Sequence, residues 1–289
     1  MNEDDKLKKF FQTLFETTME RNPIAATYLG YKHEKYDHLL PNGSLRAKEE
    51  EITWLIEQKK QLKHEIDYDA LTDEGKLDYD LVQHYLDKQF FEMTELATWR
   101  SGTDAASGAI SYIGSAIYYL YSRDFAPLET RVKAMISRLN TTAKFLEETK
   151  SRWLYPVKLW TEMAIDEAPR TISFLQLILQ TLKTELDSEL YEELEGVVKV
   201  ASKAFQDYAN WITDNVLSKA YHDWSIGAQK YGRLVEVRKI AKTMEEILAI
   251  GEKTLIDTKN QLEKLAQELH PGKTLDEVRD FLKSNHNLI

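Results

Sequence analysis

The chain contains no cysteine. That single absence removes disulfides, thiolate zinc sites, iron–sulfur ligation and cysteine nucleophiles, and it fits a reducing compartment. Glycine and proline are scarce, 11 and 6 among 289 residues, so few positions interrupt a helix and long helices are expected. Long apolar runs are missing too. The most apolar window, AISYIGSAIYYLYS from Ala109, covers 14 residues and carries serines; it is too short to span a bilayer and reads as a buried helix. The N-terminus, MNEDDKLKKFFQ, opens on acids without the apolar stretch of a secretory signal. The expected location is therefore the cytoplasm. Positive charge is also in deficit: the formal net charge is -10 and the pI about 5.3. An acidic balance argues against nucleic acid and against an anionic membrane surface as partners.

What is present is helical periodicity. Leu7, Phe10, Phe11, Leu14, Phe15 and Met19 recur at three and four and place an apolar stripe on a first helix. Asn22-Pro23 caps and opens a second, with Gly30 as its stop. Ser44 starts a long third helix carrying Ile52, Leu55, Ile56, Leu62 and Ile66 inward. Thr72 starts a fourth, with Leu77, Leu81, Tyr85 and Phe90 as core candidates. Further helices are expected after Pro127 and after Pro156, then over 188–217, 228–237 and 243–270, with a short one beyond HPGKT. Pro169 is expected to kink or end its helix. No alternating strand pattern of useful length occurs, so the fold class is all-α, a multi-helix bundle of long antiparallel helices. Residues 1–289 read as a single helical unit whose main internal break is the small-residue segment near 100–108.

Candidate chemistry dissolves on inspection. HEKYDH, from His33, looks like a helical zinc signature, but that motif needs histidines four apart on one face. His33 and His38 are five apart and diverge by roughly 140° around a helix. Gly30 and Pro41-Asn42-Gly43 flank them and favour a loop. Gly272-Lys273-Thr274 ends like a phosphate loop, but Gln267 stands where its first glycine belongs. Glu162, Asp166 and Glu167 share a helix region, yet no Glu-x-x-His occurs to complete a bundle metal site; a solvated face explains them. Asp80 and His84 read as a surface pair in the same way. Trp99, Arg100, Trp224 and Tyr231 stand beside chain breaks. They are the candidate substrate-binding residues, as walls of a cleft, and core filling is the competing reading. Catalytic and metal-binding residues are expected to be absent.

RNPIAATYLGYKHEKYDHLLPNGS resembles the N-terminal signature of a family labelled domain of unknown function 885, through Asn22, Pro23, Ala26, Thr27, Gly30, Tyr36, Asp37, Leu40 and Pro41. Similar stretches follow in order: RVKAMISRLNTTAKFLEETKSRWLYPVKLWTEMAIDEAPRTISFL, WSIGAQKYGRLV with Gly227 and Tyr231, and TMEEILAIGEKTL with Glu246 and Gly251. The resemblance implies a mostly helical, gluzincin-like zinc metallopeptidase whose H-E-x-x-H helix lies in a C-terminal half beyond Ile289. On that implication the chain is the family's truncated N-terminal half, without zinc or cofactor of its own, and forms one non-catalytic wall of a peptide-binding cleft. The partners implied are a C-terminal catalytic half, a peptide ligand, or a second copy through self-association. The other reading is a free-standing helical scaffold or protein-interaction module without enzymatic activity.

Overall fold

A computed structural model describes residues 2–104 and 107–284. The chain is all-α and forms a multi-helix bundle; among the described residues extended structure amounts to one two-residue ladder and two isolated bridges. It divides into two compact units, Met1–Ile226 and Gly227–Ile289.

The first unit begins with α1 (Glu3–Arg21), whose start is a capping box between Asn2 and Asp5. Asn22 then caps α2 (Pro23–Leu29), with Pro23 in the first turn and Gly30 closing the helix at φ 72°. A β-carbon disfavours that left-handed conformation. The HEKYDH segment holds a single helical turn, α3 (His33–Tyr36), where a loop was expected. Its residues are fixed by side chains that arrive from elsewhere in the chain, which local sequence does not reveal. Ser44 and Thr72 cap α4 (Leu45–Glu65) and α5 (Asp73–Phe91) through their hydroxyls. A wider π-type turn, Glu92–Leu96, and a 3₁₀ turn lead to β1 (Thr103–Asp104) and β2 (Ser107–Gly108), paired antiparallel. Four long helices follow: α6 (Ala109–Ser122), α7 (Leu128–Thr149), α8 (Lys158–Leu182) and α9 (Ser188–Asn215).

Two cores result. Helices α7 and α8 each pack on both α6 and α9, around Ile113, Ile117, Leu139, Ile178, Leu194 and Phe205. Helices α1, α4 and α5 enclose a smaller core of Leu7, Leu14, Leu55, Leu62, Val82 and Leu86. The segment near 100–108 lies inside the first unit. Its beginning is pinned to 153–155: the Arg100 carbonyl accepts from Leu154 and Tyr155 N–H, and Ser101 Oγ donates to the Tyr155 carbonyl at 2.8 Å. Gly102, at φ 72°, lies directly under the Trp153 indole, where a β-carbon would come within 2.1 Å of the ring.

Pro169 neither ends α8 nor divides it; the helix runs through it for 25 residues. The proline is exposed. Water can therefore reach the carbonyl that its missing N–H leaves unpaired, while the apolar face stays packed.

The second unit contains α10 (Gly227–Val237), α11 (Met244–Leu269) and α12 (Leu275–Ser284). Both short helices pack on α11. Val235, Ala266 and Val278 are buried, and His270 meets the Phe281 ring edge-on at 4.7 Å. A capping box of Thr243 and Glu246 fixes the start of α11.

Candidate functional site

The signature stretch around His33 is a polar anchor. Arg138, on α7, is fully buried. Its Nε donates to the Leu39 carbonyl at 3.1 Å and its Nη1 to the Ala116 carbonyl at 2.7 Å. Its Nη2 donates to Thr27 Oγ1 at 2.6 Å. Thr27 in turn donates to Asp37 Oδ1 at 2.7 Å, and Asp37 Oδ2 lies 3.0 Å from His33 Nδ1. The His33 ring stacks on Phe125, with centroids 4.0 Å apart. Burial pulls the guanidinium down to about 10, against the attraction of the Asp37 carboxylate, so Arg138 is charged at neutral pH. Ser137 Oγ holds the His38 carbonyl at 2.9 Å. The Gly43 N–H donates to Glu148 Oε2 and the Leu45 N–H to Ser151 Oγ. Residues 27–45 are thus fastened along α7. The Arg138 guanidinium, Thr27 hydroxyl and Asp37 carboxylate are engaged with one another and with backbone carbonyls, which suits a structural anchor.

Glu167 has a comparable role. Its carboxylate accepts from the Gly108 and Ser111 N–H groups at the start of α6. Burial holds its pKa above the ordinary carboxylate value despite those bonds. Its neighbours Glu162 and Asp166 are exposed and pair with Lys158 and Arg170, one turn away, at 3.7 and 3.9 Å.

Two depressions open on the first unit. A cavity of 460 Å³ lies between α1, α2, α4 and α7. Its polar lining is largely self-paired: Tyr112 Oη donates to Asn22 Oδ1 at 3.0 Å, Lys48 meets Glu51 at 3.4 Å, and Arg21 lies 4.9 Å over the Trp54 ring. A larger groove of 910 Å³ runs between α1 and α5. Leu7, Leu14, Phe15, Met19 and Val82 form its floor, Phe11 and Leu81 project into it, and Asp4, Asp5, Glu74 and Asp78 stand at its rim with one cation, Lys8. Phe11 and Leu81 are 52% and 58% exposed, and Leu77 is exposed as well. These three are core candidates by periodicity that the fold leaves outside. Phe10 and Phe11 are adjacent and cannot both face one core, and α5 buries Tyr79, Val82 and Leu86 instead.

Of the four residues expected as cleft walls, Trp99 is buried, and its indole N–H donates to the Met93 carbonyl at 2.8 Å across the π-type turn. Arg100 stacks on it at 5.1 Å. Trp224 is exposed in the first unit, whereas Tyr231 belongs to α10 of the second. The structure brings Trp99 and Arg100 together. Periodicity assigns the groove's Phe11 and Leu81 to the core rather than to a site; a second apolar face on an already amphipathic helix is the available signal.

Among the described residues no group of three or more histidine, aspartate or glutamate side chains could hold a metal ion. No described helix is long and apolar enough to cross a membrane. What the geometry defines is an all-helical protein with an open groove lined by apolar side chains. Residues 23–289 match the family described as bacterial protein of unknown function (DUF885), and the chain belongs to it. A candidate lipoprotein of unknown function from Shewanella oneidensis shares the fold, with a TM-score of 0.69 at 18% identity over 92% of this chain and 48% of that one. The chain spans about half the length of that protein, and at such identity the likeness concerns the fold alone. A comparison with curated proteins gives no match.

These findings correct two expectations. The family match runs over residues 23–289, essentially the whole chain, and gives no support to reading the chain as a truncated N-terminal half that lacks a zinc portion. The role as one wall of a metallopeptidase cleft is overturned as well. The described residues hold no metal-ligand cluster, and the structural relative has no known function to lend it.

Proposed function

We propose that the chain is a helical scaffold and protein-interaction module, and that its recognition site is the groove between α1 and α5. The observation that carries this reading is the groove's makeup: an apolar floor with Phe11 and Leu81 projecting from it, under four carboxylates and one lysine. Soluble proteins seldom leave such surfaces open without a partner. A gap between two helices accepts an amphipathic helix laid face down, anchored by apolar side chains every three to four residues. The acidic rim selects a partner helix whose flanks are basic. The occupant is thus a Leu-rich, Lys-flanked helix of another protein. The absence of cysteine supports a cytoplasmic setting for that encounter.

The test uses a fluorescent Leu/Lys amphipathic peptide and the full chain in an anisotropy titration. Saturable binding is expected, weakened at least about tenfold by Phe11→Glu or Leu81→Glu. A Leu/Glu peptide of the same apolar pattern should bind far less well. Equal binding of both peptides, or no effect of either substitution, sinks the reading.

A further inference from the structure

Helix α11 carries leucines at 248, 255, 262 and 269, seven residues apart. They are 62%, 71%, 45% and 57% exposed. A seven-residue repeat is the period of a left-handed supercoiled seam; an ordinary helix that packs on its own domain drifts away from it. The positions three after each leucine complete the seam: Gly251, Thr258 and Leu265. Within the second unit the partners of α11 leave this face open, and Ala266 is its buried residue.

We infer that α11 pairs with α11 of a second copy as an antiparallel two-stranded coiled coil. This rests on the interaction-module reading and assigns it a second surface with a defined occupant. The seam is complementary to itself, and charge selects the register: an axis at Asn260 would also match Leu262 with Thr258 and Leu269 with Gly251 but would set Lys259 against Lys259. With the twofold axis between Ile256 and Asp257, Leu248 packs on Leu265 of the second copy, Leu255 on its Thr258, and Leu262 on its Gly251. The symmetry repeats each layer, giving six layers over residues 248–265, or roughly 27 Å of helix. Large side chains meet small ones in four of the six. Gly251 carries the argument furthest. A glycine inside a helix costs about 1 kcal/mol relative to alanine, and a β-carbon there would meet nothing within 4 Å in the chain itself. No intramolecular contact requires that glycine, whereas Leu262 of a second copy would fill the space over it. The flanks agree. In the same register Glu252 faces Lys259 of the second copy, and the symmetry makes that ion pair twice. A parallel pairing would lose it and set Gly251 against Gly251.

Analytical ultracentrifugation of the full chain over a concentration series tests the pairing. A reversible dimer is expected. Leu255→Glu and Leu262→Glu should each weaken it at least about tenfold while circular dichroism stays unchanged, because both side chains are solvent-exposed in the single copy. Gly251→Leu should also weaken the dimer, although it raises helix propensity. Orientation is read from a nitroxide on Glu268→Cys, which labels uniquely because the chain has no other cysteine. The antiparallel register separates the two labels by about 35 Å at 1.5 Å per residue; a parallel one brings them within about 15 Å. A monomer at every concentration, a dimer indifferent to the leucine substitutions, or closely spaced labels overturns the inference. None of these results touches the α1–α5 groove, whose peptide titration reports the first reading independently.

Discussion

Helices α9 and α11 are close in length, 28 and 26 residues, and both are amphipathic. α9 buries eight residues, from Leu190 to Ile212, between α7 and α8. α11 buries one. Amphipathicity therefore states that a face seeks cover without stating whose. The finer period separates the two cases. The buried residues of α9 fall at 190, 194, 198, 201, 205, 208, 209 and 212, filling a broad face that meets two neighbours. Leu248, Leu255, Leu262 and Leu269 of α11 keep an interval of seven, with Leu265 three residues after one of them, a line suited to one partner helix. The polar groups differ in the same sense. The first unit buries charges and satisfies them across long sequence distances, as Arg138 does with Thr27 and Leu39. The side-chain bonds of the second unit are mostly local: the caps of α11 and α12 and ion pairs one turn apart along α11.

Breaking the closed region at Arg138 should produce the largest effect. Arg138→Ala leaves Thr27 and the Leu39, Ala116 and Tyr36 carbonyls without their donor at a buried position. A loss of about 3–5 kcal/mol is expected, as for removal of one member of a buried charged network, read from the urea midpoint. Arg138→Lys should recover only part of it, because an ammonium cannot reproduce the forked bonds to the Leu39 and Ala116 carbonyls. A loss below about 1 kcal/mol, typical of an exposed pair, would show that the anchor is not structural. The contrast between the two helices is sharpened next. Leu194→Ala in α9 should cost about 2–5 kcal/mol through the cavity it leaves. Leu255→Ala in α11, measured at low protein concentration, should stay within about 0.5 kcal/mol. Equal costs would mean that the single copy already covers its seam.

Local chemistry made most helix starts legible. Asn22-Pro23, Ser44 and Thr72 cap as their residue types dictate, because a cap depends on the residues adjoining it. The choice of face was less legible. α5 offers Leu77 and Leu81 on one side and Tyr79, Val82 and Leu86 on another, and only the positions of α1 and α4 decide between them. The groove was hidden for that reason, since it is made of the apolar side that lost. HEKYDH, set aside as a metal motif on its spacing, misled only as a loop. Its one helical turn is held by Arg138, about a hundred residues away in sequence, and no local pattern announces such a partner. The N-terminal-half and peptidase readings came from what the resemblance implies, not from residues in this chain, and it is those implications that needed correction.

The smallest of the expected effects concerns pH and Glu167. Its carboxylate caps the start of α6 from α8, and burial holds its pKa above the ordinary carboxylate value despite the bonds from Gly108 and Ser111. As pH falls, the folded chain binds this proton before the unfolded chain does. The group's contribution is thus fully present below the unfolded value, and it is lost as pH rises through the raised folded value. Glu167→Gln removes the titration and keeps an acceptor oxygen for the same two N–H groups. The urea midpoint of the parent chain relative to Glu167→Gln should therefore fall as pH rises from the ordinary glutamate range through the raised folded value. A relative midpoint that rises over this interval would mean that the backbone donors outweigh burial, and that the contact between α8 and the start of α6 is held by charge.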